Sequence, residues 1–240
     1  GVQTCALPIS DKQIGDFKHH YQTESQRFRI LPPGIYPDRK YSQQPENSRL
    51  IVREKNGIGL DQFLLLQVGS DFKRKGVPRT LQALASLPDV IRHRTRLMVV
   101  GQDKADRYRA QARQLGVEEQ VQFFSGRDDV AELMSAADLL LHPAVQEAAG
   151  IVLLEAVVAG LPVLTTEVCG YAGYIDAAQC GVVIPEPFEQ ENLNTALFDA
   201  LQNNEQRSRW AGNARHFADT KDLYSLADKA ADIILGPKND

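Results

Sequence analysis

Along most of the chain, short apolar runs alternate with stretches whose apolar residues return at helical spacing. The runs are RFRIL (27–31), FLLLQVG (63–69), RLMVVG (96–101), VQFFSG (121–126), DLLLHP (138–143), PVLTT (162–166) and GVVIP (181–185). Each is bounded by glycine, proline or a polar turn, and each predicts a strand. Between them, GVPRTLQALASLP (76–88), KADRYRAQARQLG (104–116), RDDVAELMSAA (127–137), GIVLLEAVVAG (150–160) and YIDAAQCG (174–181) predict helices. Several strands are apolar at consecutive positions, which is the pattern of a strand covered on both faces. The alternation therefore predicts an α/β domain: a doubly wound, Rossmann-like parallel sheet with helices on both sides.

Composition narrows the function classes. A chain of 240 residues with 43% hydrophobic and 24% charged residues suits one or two globular domains rather than a disordered segment. A net charge of -4 provides no overall basic field, so a general role on nucleic acid or on a membrane surface is not indicated. Cys5, Cys169 and Cys180 show neither CxxC spacing nor a disulfide framework, which fits a reducing cytoplasm. No apolar run approaches the roughly 20 residues of a membrane-spanning helix, and the first residues do not read as a signal peptide. The opening GVQTCALPIS looks like translated adapter sequence, so residues 1–10 are expected to be non-native and the chain a piece of a longer protein.

Sheets of this kind bind ligands beyond the carboxyl ends of their strands. Three loops follow strands and enter helices: GSDFKRKG (69–76), SGRDD (125–129) and HPAVQEAAG (142–150). The first matches neither GxxxxGK[ST] nor GxGxxG. Its Arg74 and Lys75 could serve a phosphate, and an exposed turn with salt-bridging lysines is the plainer alternative. In the third loop Gly150 opens a helix, whose first amides near Ala149, Gly150 and Ile151 have no intrahelical acceptor and lie at the positive end of the dipole. Glu147 and Glu155 flank that opening inside an otherwise apolar stretch, where an acid needs a polar partner. An arginine could pair with Glu155, and Glu147 could be an exposed loop acid. A nucleoside diphosphate sugar offers the complementary order, with hydroxyls at both ends and negative charge between them.

The stretch EAAGIVLLEAVVAGLPVLTT resembles the E-x7-E signature of retaining glycosyltransferases of the GT-B fold. ILPPGIYPDRKY, LLLQVGSDFKRKGV, FFSGRDDVAELMSAADLLLHPA and NARHFADTKDLYSLADKAADII are similar to the C-terminal part of bacterial lipopolysaccharide-core glucosyltransferases, and the likeness covers residues 11–236. The resemblance implies the C-terminal, donor-binding domain of a GT-B enzyme. Residues 11–30 would be the tail of an N-terminal acceptor domain and linker, 31–220 the nucleotide-sugar domain, and 221–240 a crossing helix and tail. It implies that Glu155 accepts from the ribose of UDP and that Glu147 meets the hexose. Lys75 would neutralise the pyrophosphate with Arg39 or Arg74, the Arg127 backbone would hold the uracil, and Ala149, Gly150, Ile151 and Val152 would present amides to the phosphate. Ser70 stands where many members carry arginine.

The activity implied is transfer of glucose from UDP-glucose, with retention, to a heptose of the lipopolysaccharide inner core. Its place would be the cytoplasmic face of the inner membrane, with peripheral membrane contact only in the intact protein. A non-catalytic UDP-sugar-binding module and a UDP-sugar epimerase are the alternatives. No DxD-like motif is present, so neither metal nor cofactor is expected. In GRDDV the adjacent acids open a helix, which makes Asp128 or Asp129 an expected N-cap. His19, His20, His93 and His216 have no ligand spacing with the cysteines, and His142, before Pro143, reads as a packed structural residue.

Overall fold

The computed structural model describes residues 6–35 and 48–235. Six parallel strands, β1 (Phe63–Val68), β2 (Thr95–Val100), β3 (Val121–Phe124), β4 (Leu139–His142), β5 (Val163–Thr166) and β6 (Gly181–Ile184), form one sheet in the order β3-β2-β1-β4-β5-β6. Leu65 lies opposite Leu139, and His142 opposite Thr165. The helices are α1 (Asp11–Tyr21), α2 (Ser48–Lys55), α3 (Val77–Ser86), α4 (Asp89–Arg92), α5 (Asp106–Gln114), α6 (Val130–Ala136), α7 (Ile151–Ala159), α8 (Ala172–Ala178), α9 (Gln190–Gln202), α10 (Asn204–Thr220) and α11 (Leu226–Leu235). None of the described helices is long and apolar enough to cross a membrane.

The consecutive apolar runs are explained by two cores, one on each face. Because side chains alternate along a strand, Leu64 and Leu66 of β1 enter a core with Leu140, Leu153, Leu154 and Phe217, while Leu65 enters another with Phe72, Leu81, Leu84, Leu139 and Leu141. Leu64, Leu65 and Leu66 are all fully buried. This is the doubly wound sheet expected from the pattern.

Some elements differ from expectation. RFRIL is not a strand: a 3-10 turn spans Ser25–Arg27, and Phe28 makes a single bridge to Ala6. Phe28 and Leu31 reach the interior, whereas Arg27, Arg29 and Ile30 are exposed, so no sheet is built on the run. The helix expected over 174–181 begins earlier and stops at Ala178, because Gln179 turns left-handed (φ 48°) and hands the chain to β6. Helices α9 and α10 lie outside the predicted set. Their sequence is rich in Asn, Gln and charge, and the buried stripe of Leu193, Leu197, Ala200 and Leu201 is narrow.

Strand order places the site. The chain lays down β1, β2 and β3 in one direction and then returns to add β4 on the other side of β1. The loops after β1 and β4 therefore leave toward opposite faces and open a crevice at the carboxyl end of the sheet. At the amino end of the same strand pair, Asp138 accepts from the Leu64 amide (2.7 Å) and from Arg49 (2.6 Å). Buried Arg53 spans Asp138 (3.3 Å) and the carbonyls of Ala136 (3.0 Å), Gly59 (2.9 Å) and Gln62 (2.5 Å).

Candidate functional site

The loop after β1 is folded by its own backbone. Lys75 N donates to Asp71 O (2.9 Å), and Val77 N to Phe72 O (2.9 Å). Phe72 is sunk beside Tyr108 and Phe123, and the Gln67 side chain donates to Lys75 O (2.8 Å). Gly76 then turns left-handed (φ 77°) directly under the loop after β4. A Cβ at this position would sit 1.9 Å from Pro143 O, so only glycine fits. Val145 N donates to Arg74 O (2.8 Å), and Arg79 donates to Ala144 O (2.7 Å), which binds the two loops together.

This contact aims Lys75 at Glu147. The ammonium meets Oε2 of the carboxylate, and the two side chains are only 14% and 8% exposed. Lys75 is thus a salt-bridging lysine, as the plainer alternative has it, but not an exposed one, and Glu147 is not an exposed loop acid. His142 Nε2 lies 3.4 Å from the same oxygen. A backbone bridge to Cys169 and the approach of Gly170 to Ala148 O, where a Cβ would come within 2.1 Å, fix the loop from the other side. Burial alone would raise the Glu147 carboxyl; hydrogen bonds from His142 and Lys75 and the ammonium charge outweigh it and bring it down to about 2. Burial lowers the His142 ring, and the Lys75 charge adds to that, against the opposing pull of Glu147.

Gly150 is the N-cap of α7, as the sequence predicts, with φ 81°. Ala149 O accepts from Tyr171 N (2.8 Å), Ile151 is exposed, and Val152 is half-buried. The first amides of α7 open beside Glu147, so a positive helix end and a cation share one crevice. Glu155, on the second turn, is half-buried rather than enclosed, and it is not isolated.

The other predicted residues divide. Arg74 pairs with Asp71 within its own loop (3.1 Å). Arg127 grips Asp129 through Nε (2.7 Å) and Nη2 (2.6 Å), reaches Asn56 (3.3 Å), and lies over the Phe124 ring. Asp129 occupies the N-cap position of α6, but its carboxylate makes no capping hydrogen bond because Arg127 takes both oxygens. Ser70 Oγ accepts from Gln102 N (3.0 Å), so a hydroxyl ties two loops where related enzymes are expected to carry a cation. Arg39 lies outside the described residues. A cavity of about 610 Å³ opens beyond β2 and β3, lined by Phe72, Gln102, Lys104, Phe123 and Ser125. Sequence reasoning missed the contact of His142 with Glu147; no spacing announces it, since the ring reaches the acid only through the fold of the intervening loop.

The family described as Glycosyl transferases group 1 matches residues 48–217. The chain is 66% identical over 236 residues to the lipopolysaccharide glucosyltransferase WaaG of Escherichia coli (strain K12), covering 98% of this chain and 63% of that protein. It is 28% identical to a D-inositol 3-phosphate glycosyltransferase of Corynebacterium glutamicum (strain R), over 93% of this chain and 54% of that one. The crystal structure of WaaG, a glycosyltransferase involved in lipopolysaccharide biosynthesis, superposes with a TM-score of 0.91 at 67% identity, covering 96% of this chain and 62% of that chain. Anabaena Alr3699/HepE in complex with UDP and glucose superposes with a TM-score of 0.83 at 20% identity, over 97% of this chain and 63% of that one, and shares the fold. The chain thus spans less than two thirds of the length of each of these relatives.

Proposed function

Since the chain belongs to the Glycosyl transferases group 1 family, we propose that it is the donor-binding part of a lipopolysaccharide glucosyltransferase that takes glucose from UDP-glucose. The observation that carries this reading is the meeting of Lys75, Glu147 and the amide-bearing start of α7 in the crevice between β1 and β4. Breaking the bond between the anomeric carbon and the diphosphate leaves negative charge on the departing phosphate and positive character on the sugar. Donors aimed at that phosphate stabilise the transition state more than the ground state.

In this reading Lys75, Arg39 and the amides of Ala149, Gly150, Ile151 and Val152 receive the diphosphate, with no metal required. Glu147 holds the hexose hydroxyls near the reacting carbon. Glu155 accepts from the ribose. The uracil is held by the Arg127 backbone, and the Arg127 side chain, tied to Asp129, stiffens that loop. In the whole protein the acceptor is a heptose of the lipopolysaccharide inner core, reached from the cytoplasmic face of the inner membrane, and the sugar is transferred with retention. The name of the E. coli relative supports the glucosyl donor and the lipopolysaccharide acceptor.

Titration calorimetry of the chain with UDP, UDP-glucose and UDP-galactose in chelator-containing buffer tests this. Binding of UDP, with UDP-glucose preferred over UDP-galactose, is expected. Absence of binding by all three nucleotides overturns the reading.

A further inference from the structure

His142 ends β4 and is fully buried. Its backbone is held in place: it pairs with Thr165 across the sheet, and its carbonyl accepts from Thr165 Oγ1 (3.1 Å) and from Ala144 N (2.8 Å). The ring is thereby fixed with Nε2 on Glu147 Oε2, while Nδ1 is buried and has no hydrogen-bond partner among the described residues. An ionised carboxylate only accepts, so the hydrogen between them belongs to Nε2. Burial of the ring, with the Lys75 ammonium beside it, outweighs the pull of the Glu147 carboxylate, and a second proton would leave Nδ1–H buried without an acceptor. The ring is then neutral, with a bare Nδ1.

Two donors thus converge on one oxygen, and they are not equivalent. Lys75 carries the charge, whereas the imidazole sits at 3.4 Å, long for an N–H···O bond. A carboxylate only 8% exposed that lost every donor would bear a large desolvation penalty. A second donor that stays behind lowers that penalty. We infer that His142 is a positioning residue: its Nε2–H retains the Glu147 carboxylate when Lys75 turns toward the diphosphate of the arriving nucleotide sugar. The inference rests on the proposed donor site in assigning Glu147 to the hexose and Lys75 to the diphosphate.

Nitrogen-15 NMR of the chain reads the ring directly. A protonated Nε2 and an unprotonated Nδ1, with a signal that shifts in Glu147→Gln, are expected. An imidazolium, a protonated Nδ1, or no response to Glu147→Gln overturns the inference. Calorimetry reads the consequence. His142→Leu should reduce UDP-glucose affinity about tenfold while UDP affinity stays within about twofold. His142→Gln, which returns an amide N–H near the place of Nε2, should restore most of the loss. An equal loss for both nucleotides, or no loss, means a merely structural histidine and overturns the inference. Should His142→Leu fail to fold, the nitrogen-15 signal of the wild-type ring and its response to Glu147→Gln decide. If the wild-type chain binds neither nucleotide, the donor-site reading falls, and the NMR result still accepts or rejects the hydrogen bond.

Discussion

The β1/β4 strand pair carries an ionic cluster at each end, and the two are built differently. At the amino end, Arg53 and Asp138 are close to saturated: both Nη atoms of Arg53 and both oxygens of Asp138 have partners, most of them backbone. At the carboxyl end, Lys75 and His142 crowd onto one oxygen of Glu147, and no hydrogen bond within the described residues engages Oε1. A saturated cluster has nothing left to offer a ligand and acts as a fastener. An unsaturated one beside a helix start retains donors and acceptors for something else. Burial and charge alone do not separate a structural ion pair from a functional one; the number of unused hydrogen-bonding positions does.

Substitutions at the two ends should separate stability from binding. Arg53→Ala takes one of three donors from Asp138 and the guanidinium from three carbonyls, and should have the largest effect on stability, about 3–5 kcal/mol in urea unfolding. The folded fraction should keep its UDP affinity. Gly76→Ala should follow at ~3 kcal/mol, since the new methyl meets the Pro143 carbonyl and φ is left-handed; wild-type thermal stability in this variant would refute the interlocking of the two loops.

Glu147→Gln takes the counter-ion from Lys75 and should cost somewhat less than either, about 2 kcal/mol at neutral pH, while weakening UDP-glucose binding. It also carries a pH signature. The folded carboxyl is held down to about 2 against 4.5 when free, so its stabilisation is complete above the free value and is lost as pH falls toward the folded one. The variant should therefore lose stability less steeply than wild type between these limits, as followed by thermal unfolding across acidic buffers. Parallel acid profiles would show that Glu147 is not held as described.

The sheet was legible because consecutive leucines at 64–66 and 139–141 are forced by a two-sided core. Gly150 was legible because a glycine before an apolar helical run marks its start. The Lys75–Glu147 contact was not, because 72 positions separate the two residues and only the return of the chain to β4 joins them. His142 was read as a packed histidine, and packed it is; its second role depends on where one ring nitrogen points, which no spacing encodes. Asp129 was rightly placed at the start of α6, yet its neighbour Arg127 outcompetes the helix amides for its oxygens.

The close approaches of Gly76 to Pro143 and of Gly170 to Ala148 put peptide groups directly against peptide groups, with no side chain between them. These are consequently backbone seams beneath the crevice, which point substitution cannot alter without parting the loops. A change of ligand preference would have to be written in the few side chains that project above those seams.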